Sequence, residues 1–264
     1  MKPEFLQNLE VNAVATSFAR AATNYDTVAR LQREVGSILF DKLTSHCLAN
    51  QSILDVGAGT GYCTELLIGQ DTNVVALDIA PAMLTQARQR LGGKASYLAA
   101  DAQSLPLKDH SVDIVFANLV LQWCVDLSAV FQEFKRVLKN DGQIVFSSLG
   151  PQTLWELRSA WQNVDAYRHV NDFVDIKHVQ QQIEYAGLNG IVETRMITLE
   201  YTSAIHLMRE LKTLGAANTS HHRHRGLTGK SRLQQVSDEY SKLMGNQVTQ
   251  ATWHVLIGQL RLAE

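Results

Sequence analysis

The stretch "ILDVGAGTGYCTELL" most constrains the fold, because it has the pattern of a strand, a glycine-rich turn and a helix in immediate succession. Three glycines stand at alternate positions, Gly57, Gly59 and Gly61, and an acidic residue, Asp55, precedes them. Such a turn brings backbone close to a ligand, and the start of the helix favours an anion. The dinucleotide pattern G-x-G-x-x-G does not fit, since Tyr62 stands where its last glycine would be. The acidic residue instead suits a ligand with a cationic part, such as the ammonium of an amino acid.

Apolar and amphipathic segments alternate after this turn. "NVVALDI", "ASYLAAD", "VDIVFANLVL" and "GQIVFSSLG" are typical of strands, and "PAMLTQARQRLG" and "LSAVFQEFKRVLKNDG" are typical of helices. Pro81 and Gly92 bound the first of these helices, as is common at helix termini. Strands that alternate with helices at this spacing predict a parallel sheet with helices on both faces.

The chain of 264 residues is expected to form a single α/β domain, because no repeat or linker divides it. Residues 1–45 are predicted to be a helical cap, 46–150 the core of the sheet, and 151–264 substrate-side insertions and the last strands. In the last region we expect helices at "VDIKHVQQQIEYAGL" and "SAIHLMRELKTLGA", and strands at "IVETRMITLEY" and "ATWHVLIGQLRL". The insertions therefore follow the fifth and sixth strands.

Charge and cysteine content narrow the class of protein. A formal net charge of −2 argues against a general nucleic-acid binder. The three cysteines, Cys47, Cys63 and Cys124, have no paired spacing, so we expect reduced thiols in a cytoplasmic protein. The first residues, "MKPEFLQNLEVN", lack the apolar segment of a signal peptide. The sequence also contains no run of 18 apolar residues, the length that would predict a membrane helix. We expect neither nucleic acid nor a membrane as a partner.

Polar residues follow the next three predicted strands, at the sheet edge where open parallel sheets bind ligands. Asp78, which comes 17 residues after the last glycine, is placed to accept both hydroxyls of a ribose or to cap the following helix. Met83, in the first turn of that helix, is expected to lie either against an adenine ring or in the core. Asp101 and Ala102 suit the amino group and a ring nitrogen of adenine, and Asn118 stands at the same edge. Together they suit S-adenosylmethionine, which joins adenosine to an amino-acid carboxylate and ammonium.

In order and spacing, "LDVGAGTG", "VVALDIAPAML", "YLAADAQSLPL" and "DIVFANLVLQW" resemble the motifs of class I S-adenosylmethionine-dependent methyltransferases. The resemblance implies a Rossmann-like fold with a seven-stranded, mostly parallel sheet, and S-adenosylmethionine as the cofactor. The expected cofactor-binding residues are Asp55, Gly57, Ala58, Gly59, Gly61, Asp78, Ile79, Met83, Asp101, Ala102, Asn118 and Leu119.

Outside these motifs the chain resembles the malonyl-carrier-protein O-methyltransferases of biotin synthesis, over essentially its whole length. The matching segments include "VATSFARAATNYDTVARLQREVG", "SSLGPQTLWELRSAW", "LKTLGAANTSHHRHRGLTGKSRL" and "TWHVLIGQL". The resemblance implies methylation of the free carboxylate of malonyl-acyl carrier protein, which primes synthesis of the pimeloyl part of biotin. Two alternatives stay open. One is a methyltransferase for another small molecule, such as a free dicarboxylic acid or a quinone precursor, and the other is a cofactor-binding protein without activity.

Carboxylate methylation makes few demands on acid–base residues. An ionised carboxylate attacks a sulfonium methyl group without a general base, and the sequence has no Gly-x-Ser-x-Gly motif for esterase chemistry. From the resemblance we expect Tyr25 to cover the cofactor. Trp123 is a candidate wall of the acceptor site, although either aromatic residue is also compatible with ordinary core packing. His169, Asn171 and Phe173 are further candidates for substrate contact.

The basic stretch "HHRHRGLTGKSR" is either a solvated loop or a docking surface for an acidic carrier protein. Arginine side chains match carboxylates and the phosphopantetheine phosphate of such a carrier. The three histidines, His221, His222 and His224, lack cysteine or carboxylate neighbours at ligand spacing, so we expect no metal site. The expected substrate- and carrier-binding residues are His169, Arg209, Lys212, Arg223, Arg225, Lys230 and Arg232.

Overall fold

A computed structural model describes residues 11–43, 49–216, 229–245 and 249–263. The strands in these ranges are β1 (Ser52–Val56), β2 (Asn73–Asp78), β3 (Ser96–Ala99), β4 (Val112–Ala117), β5 (Leu138–Leu149), β6 (Leu188–Tyr201) and β7 (Thr249–Leu262). The α-helices are α1 (Val11–Ala21), α2 (Arg30–Asp41), α3 (Tyr62–Leu67), α4 (Pro81–Leu91), α5 (Leu127–Val137), α6 (Trp155–Gln162), α7 (Ile176–Tyr185), α8 (Ala204–Thr213) and α9 (Lys230–Leu243).

The strands form one seven-stranded sheet in the order β3-β2-β1-β4-β5-β7-β6, which confirms the predicted, mostly parallel architecture. β1 to β5 pair in parallel, whereas β7 runs antiparallel to both of its neighbours, β5 and β6. From β1 the chain proceeds to β2 and β3 on one side and then crosses to β4 on the other side. This reversal creates a switch point at the carboxyl ends of β1 and β4, where open α/β sheets bind their ligands.

Each face of the sheet carries its own hydrophobic core, because successive side chains of a strand point to opposite faces. Ile53 of β1 packs in the core that contains α2 and α6, whereas its neighbour Leu54 packs in the core that contains α5 and α7. Phe131 and Phe134 of α5 are fully buried in this second core, with their rings edge-to-face. Helices therefore cover both faces of the sheet, as the alternating pattern predicts.

The predicted N-terminal cap consists of α1 and α2, joined by a short 3-10 turn at Tyr25–Thr27. The predicted insertions are also present, with α6 and α7 after β5, and α8 and α9 after β6. The cap and the second insertion touch each other, because Ser17 Oγ of α1 donates to the carbonyl of Gly215 at 2.8 Å. This hydrogen bond thus brings the first and last thirds of the chain together.

The fourth strand is shorter than its apolar pattern predicts. β4 ends at Ala117, and the apolar residues that follow form a 3-10 turn at Leu121–Trp123. Leu119, between these two elements, has a left-handed backbone with a φ of 50°, which ends the extended conformation. The segment that follows β4, at its carboxyl end beside β1, is therefore tight and irregular and does not extend the strand.

Within the described ranges, no helix is both long enough and apolar enough to cross a membrane. The same ranges hold no group of three or more histidine, cysteine, aspartate or glutamate side chains arranged around a common metal position. Cys63 and Cys124 are buried free thiols, and Cys47 lies outside the described residues.

Gly258 of β7 faces Phe146 of β5 so closely that the structure leaves no space for a side chain. A Cβ at position 258 would lie 2.0 Å from a ring carbon of Phe146, which is fully buried. We expect Gly258→Ala to lower the free energy of unfolding by about 1–3 kcal/mol, because overpacking displaces the neighbouring groups. Urea denaturation measures the change. Gly93→Ala is the control, since its added Cβ meets nothing within 4 Å. Equal stability of the two variants would contradict this packing.

Candidate functional site

A cavity lies at the carboxyl ends of β1, β2 and β4, at the switch point of the sheet. Val14 and Phe18 of α1 line one side of it, and Leu214 and Ala216, which follow α8, line it as well. The cap and the second insertion therefore close over the ends of the strands. The sequence-predicted site residues that line the cavity are Tyr25, Gly57, Gly59, Asp78, Ile79, Met83, Asp101, Ala102, Asn118, Leu119 and Trp123.

The three glycines of the turn share a left-handed backbone but differ in their surroundings. Their φ angles are 69° at Gly57, 56° at Gly59 and 85° at Gly61, a region that glycine adopts readily. A Cβ on Gly57 would lie 2.6 Å from Val120, and one on Gly61 would lie 3.0 Å from Ala87 of α4. Gly59 has nothing within 4 Å of that position. Gly59 thus leaves its backbone accessible beside the cavity, whereas Gly61 packs the turn on α4.

Asp55, Ala58 and Gly61 are absent from the described wall of the cavity, although the sequence predicts that all three bind the cofactor. Asp55 is buried and accepts a hydrogen bond from Thr64 Oγ1 of α3 at 2.6 Å. Burial raises the pKa of its carboxyl group to about 7. Ala58 packs with Ala76 and Leu84. The observed partner of Asp55 therefore joins β1 to α3 and supports the turn from behind.

Asp78 ties the end of β2 to the glycine turn. Its Oδ2 accepts from the Gly59 amide at 2.9 Å, and its Oδ1 accepts from the Ala80 amide at 2.8 Å. Burial raises the pKa of this carboxyl group to about 6, and the backbone donors oppose that rise. The bond from the Ala80 amide lies at the start of α4. It agrees with the capping role that the sequence analysis considered for Asp78. Ribose binding by the same carboxylate stays a prediction.

Asp101 is oriented by a glutamine that the sequence analysis missed. The backbone amide of Gln103 donates to Asp101 Oδ1 at 2.9 Å, and the Gln103 side-chain amide contacts both carboxylate oxygens at 3.0–3.1 Å. Gln103 Oε1 in turn accepts from the amide of Asp126, the N-cap of α5, at 2.8 Å. Gln103 also lines the cavity. The only sequence signal for this role is its position two residues after Asp101.

Asn118 connects three elements at the cavity. Its Nδ2 donates to the carbonyl of Gln32 in α2 at 2.8 Å, and its Oδ1 accepts from Ser147 Oγ of β5 at 2.8 Å. The amide of Leu119 donates to the same Ser147 hydroxyl at 2.9 Å. Gln32 lines the cavity too, and its Oε1 is buried without a hydrogen-bond partner among the residues described. Gln32 is therefore a second polar residue that the sequence analysis missed.

Aromatic side chains of the cap and of the segment after β4 meet at the cavity. The rings of Phe18 and Trp123 are edge-to-face, with centroids 5.2 Å apart. Burial and the nearby carboxyl of Asp78 raise the pKa of the Tyr25 phenol well above its ordinary value. Tyr25 is therefore protonated at neutral pH and can donate a hydrogen bond into the cavity. Met83 is buried against the cap and also lines the cavity, and its contact with an adenine ring stays a prediction.

His169 lies in a cluster that is separate from the described wall of the cavity. Its ring stacks on Trp161 of α6 with centroids 3.5 Å apart, and its Nε2 lies 2.8 Å from Asp165 Oδ1. Arg232 Nη1 of α9 lies 3.8 Å from the other oxygen of the same carboxylate. His169 and Arg232 are both predicted to contact the substrate or its carrier. They share Asp165, which joins the segment after α6 to α9.

The remaining candidates for carrier binding have varied positions. Arg209 and Lys212 are exposed on α8, and Lys230 is exposed at the first residue of α9. Arg223 and Arg225 lie outside the described residues, as do the three histidines beside them. Two further candidates lie between α6 and α7. The Asn171 carbonyl accepts from Arg158, and Phe173 packs at the margin of one core.

The described wall of the cavity holds no histidine, serine, lysine or arginine. Its cysteine, Cys124, is buried, which raises the pKa of the thiol to about 12 and keeps it protonated. A nucleophile beside a general base, the usual arrangement for covalent catalysis, is therefore missing from this part of the chain. The wall offers carboxylate and amide oxygens together with aromatic and aliphatic surface. Such a cavity can bind, orient and shield ligands that carry the reactive groups themselves.

The chain is similar to proteins of known families. Residues 54–146 match a family model described as "Methyltransferase domain". The malonyl-[acyl-carrier protein] O-methyltransferase of Nitrosospira multiformis is 38% identical, over 95% of this chain and 88% of its own length. The biotin biosynthesis bifunctional protein BioHC of Cellvibrio japonicus is 42% identical over 92% of this chain, which spans 48% of that protein.

Solved structures share the fold. The crystal structure of the YcgJ protein from Bacillus subtilis has a TM-score of 0.62 to this chain. The match covers 88% of this chain and 99% of the other, at 18% identity. At that identity the likeness concerns the fold alone.

The raised pKa of Asp55 predicts a specific pH dependence of stability. The folded protein holds this proton more tightly than the unfolded chain, whose reference pKa is 3.8. The stabilisation is therefore complete below that pH and is lost as the pH rises through about 7. As the pH rises from 3.8 to about 7, we expect the free energy of unfolding to fall less in Asp55→Asn than in the wild type, because the asparagine cannot ionise. Urea unfolding at several pH values tests this, with exposed Asp71→Asn as the control. A slope equal to that of the wild type would refute it.

Proposed function

The chain belongs to the malonyl-[acyl-carrier protein] O-methyltransferase family, and we propose that it transfers a methyl group from S-adenosylmethionine to the free carboxylate of malonyl-acyl carrier protein. The product is the malonyl methyl ester, which primes pimeloyl synthesis for biotin. The observation that carries the proposal is the cavity at the switch point. It gathers acceptor groups for a nucleoside and an amino acid, and its described wall holds no histidine, serine, lysine or arginine.

S-adenosylmethionine fits the polar groups of this cavity. Asp78 would accept from the ribose hydroxyls and Asp101 from the adenine amino group, because each carboxylate oxygen can accept more than one hydrogen bond. Gln32 Oε1, buried without a described partner, would accept from the ammonium of the methionine part. Gly59 leaves room for the ligand to approach the backbone. When bound, the cofactor supplies an electrophilic methyl group on a cationic sulfur.

The residues of the chain act by positioning and by excluding water. A carboxylate of ordinary pKa is ionised at neutral pH, so no side chain has to remove its proton. An anion and a cation become neutral products, which a dry site favours over hydrated, separated charges. Phe18, Tyr25 and Trp123 would exclude water at the covered side of the cavity. Holding the carboxylate in line with the methyl group would supply several kcal/mol of the rate enhancement.

The proposed carrier-docking surface is made of basic residues of α8 and of the chain that follows it. α8 leads directly into the segment that lines the cavity, and it exposes Arg209 and Lys212. Complementary charge would attract an acidic carrier protein and orient its phosphopantetheine arm. Arg223 and Arg225, outside the described residues, and Lys230 of α9 belong to the same proposed surface.

We further propose that residues 1–264 act as one methyltransferase domain in the cytoplasm, with no nucleic-acid partner. The net charge of −2 and the buried free thiols of Cys63 and Cys124 support this placement.

Methyl transfer tests the proposed reaction directly. The protein is incubated with methyl-labelled S-adenosylmethionine and malonyl-acyl carrier protein, and we expect base-labile label on the carrier. Acetyl-acyl carrier protein is the control, because it lacks the free carboxylate and should remain unlabelled. Label on a free dicarboxylic acid or a quinone precursor, with none on the carrier, would favour the alternative small-molecule substrates.

Charge reversal tests the docking surface. The double variant Arg209→Glu/Lys212→Glu should raise the KM for malonyl-acyl carrier protein about tenfold or more, because like charges at an interface cost several kcal/mol. The dissociation constant for S-adenosylhomocysteine should stay unchanged. Lys108→Glu, at an exposed position after β3, is the matched control. The docking surface is wrong if the double variant keeps the wild-type KM at low salt.

A further inference from the structure

We propose that Asp26 is a positioning residue that holds Tyr25 over the cofactor cavity, by fastening the cap to the glycine turn and to α4. The proposal rests on the proposed function only in taking the cavity as the S-adenosylmethionine site. The sequence analysis gave no role to Asp26, and it does not line the cavity.

Asp26 is bound by residues of three different elements. Thr60 Oγ1 of the glycine turn donates to its Oδ1 at 2.6 Å, and Arg90 Nη2 of α4 donates to its Oδ2 at 2.5 Å. Arg33 Nη2 of α2 donates to its backbone carbonyl at 2.5 Å and lies 3.9 Å from Oδ1. One short side chain therefore fixes the 3-10 turn of the cap relative to the turn and helix that adjoin the cavity. Hydrogen bonds to a charged group are the stronger kind.

The contact with Thr60 reaches the core of the site. Thr60 is buried between Gly59 and Gly61, and the Gly59 amide donates to Asp78. A displacement of Asp26 would thus be transmitted through one residue of backbone to the carboxylate proposed to bind the ribose. In the other direction, Asp26 is adjacent to Tyr25 in the same 3-10 turn. The Asp26 carboxylate therefore sets the position of the covering tyrosine relative to the turn.

The contact with Arg90 links the cap to α4, the helix that contributes Met83 to the cavity wall. Arg90 lies near the end of α4, and the first turn of that helix carries Met83, which is buried against the cap. Arg90 Nη1 is buried without a hydrogen-bond partner among the described residues, and the other terminal nitrogen, Nη2, pairs with Asp26. Removing Asp26 would leave the partly buried guanidinium of Arg90 without that partner.

The cap has a second, independent attachment on the side of α8. Arg30 Nη2 pairs with Glu210 Oε2 at 3.2 Å, and Ser17 Oγ donates to the Gly215 carbonyl. Loss of Asp26 would therefore loosen the segment around Tyr25 without detaching α1 and α2 from the fold. Because coupling between two sites is reciprocal, a cap held by Asp26 favours the bound cofactor, and the bound cofactor favours the closed cap.

Calorimetric titration with S-adenosylhomocysteine tests this coupling in the whole chain. We expect Asp26→Ala to raise the dissociation constant about tenfold, the scale of one hydrogen bond to a charged group. Thr60→Val, which keeps the shape and removes the hydroxyl, should raise it several-fold. The double variant should bind about as weakly as Asp26→Ala alone, since both changes remove the same contact. Asp26→Asn should retain part of the affinity, because its amide oxygen still accepts from Thr60.

Asp41→Ala is the matched control, since it removes an exposed aspartate at the end of α2. It should bind S-adenosylhomocysteine as the wild type does. Thermal unfolding of the variants without ligand identifies any general loss of folding. An Asp26→Ala dissociation constant within twofold of the control, or additive effects in the double variant, would overturn the proposal.

Hydrogen exchange supplies a readout that a merely stabilising residue would not move. In the wild type, S-adenosylhomocysteine should protect the amides of residues 11–29, and this protection should be lost in Asp26→Ala even at saturating ligand. Full protection in the variant would contradict a positioning role. Neither measurement uses a methyl acceptor, so a failure to methylate malonyl-acyl carrier protein would refute the proposed function and leave the result on Asp26 standing.

Discussion

The close contact between the glycine turn and the segment after β4 is the constraint on which the site depends. The parallel pairing of β1 with β4 brings these distant segments side by side at the switch point. They fit only because position 57 is glycine, since a Cβ there would lie 2.6 Å from Val120. The same approach places Asn118 where it bonds to Gln32 of the cap and to Ser147 of β5. Fold, cap and cavity are therefore fixed at one crossing of the chain.

The composition of the cavity wall accounts for the chemistry better than any single residue does. Asp78 and Asp101 are held in place by backbone and side-chain amides, so they are preorganised as acceptors. The described wall has no cation to neutralise an incoming carboxylate. An anionic acceptor would therefore find its counter-charge on the cofactor, at the atom that carries the methyl group. Such a site stabilises the reacting pair without a residue that exchanges protons with it.

Local patterns predicted the sheet well but missed much of the polar network. Strand and helix alternation, and the residues at the strand ends, follow from short-range periodicity and from the geometry of parallel sheets. Asp26 was not predicted because Thr60 and Arg90 are remote in sequence, and Gln32 because it meets the cavity only in the folded chain. Nothing local distinguishes either residue from exposed polar residues of the cap. The side chain of Asp55 accepts from Thr64 behind the turn, a contact between β1 and α3 that no local pattern predicted, and cofactor binding by Asp55 stays a prediction.

The two attachments of the cap bury their charged groups in different ways. On the α8 side, Glu210 retains 7% exposure and also accepts from Tyr201, whereas the side chain of its partner Arg30 is 45% exposed. On the turn side, Asp26 and Arg90 retain 37% and 25% exposure, and ion pairs of this partly exposed kind usually contribute about 1 kcal/mol or less. Each attachment therefore includes a partly exposed cation, and the cap is held by the two attachments together rather than by one deeply buried pair.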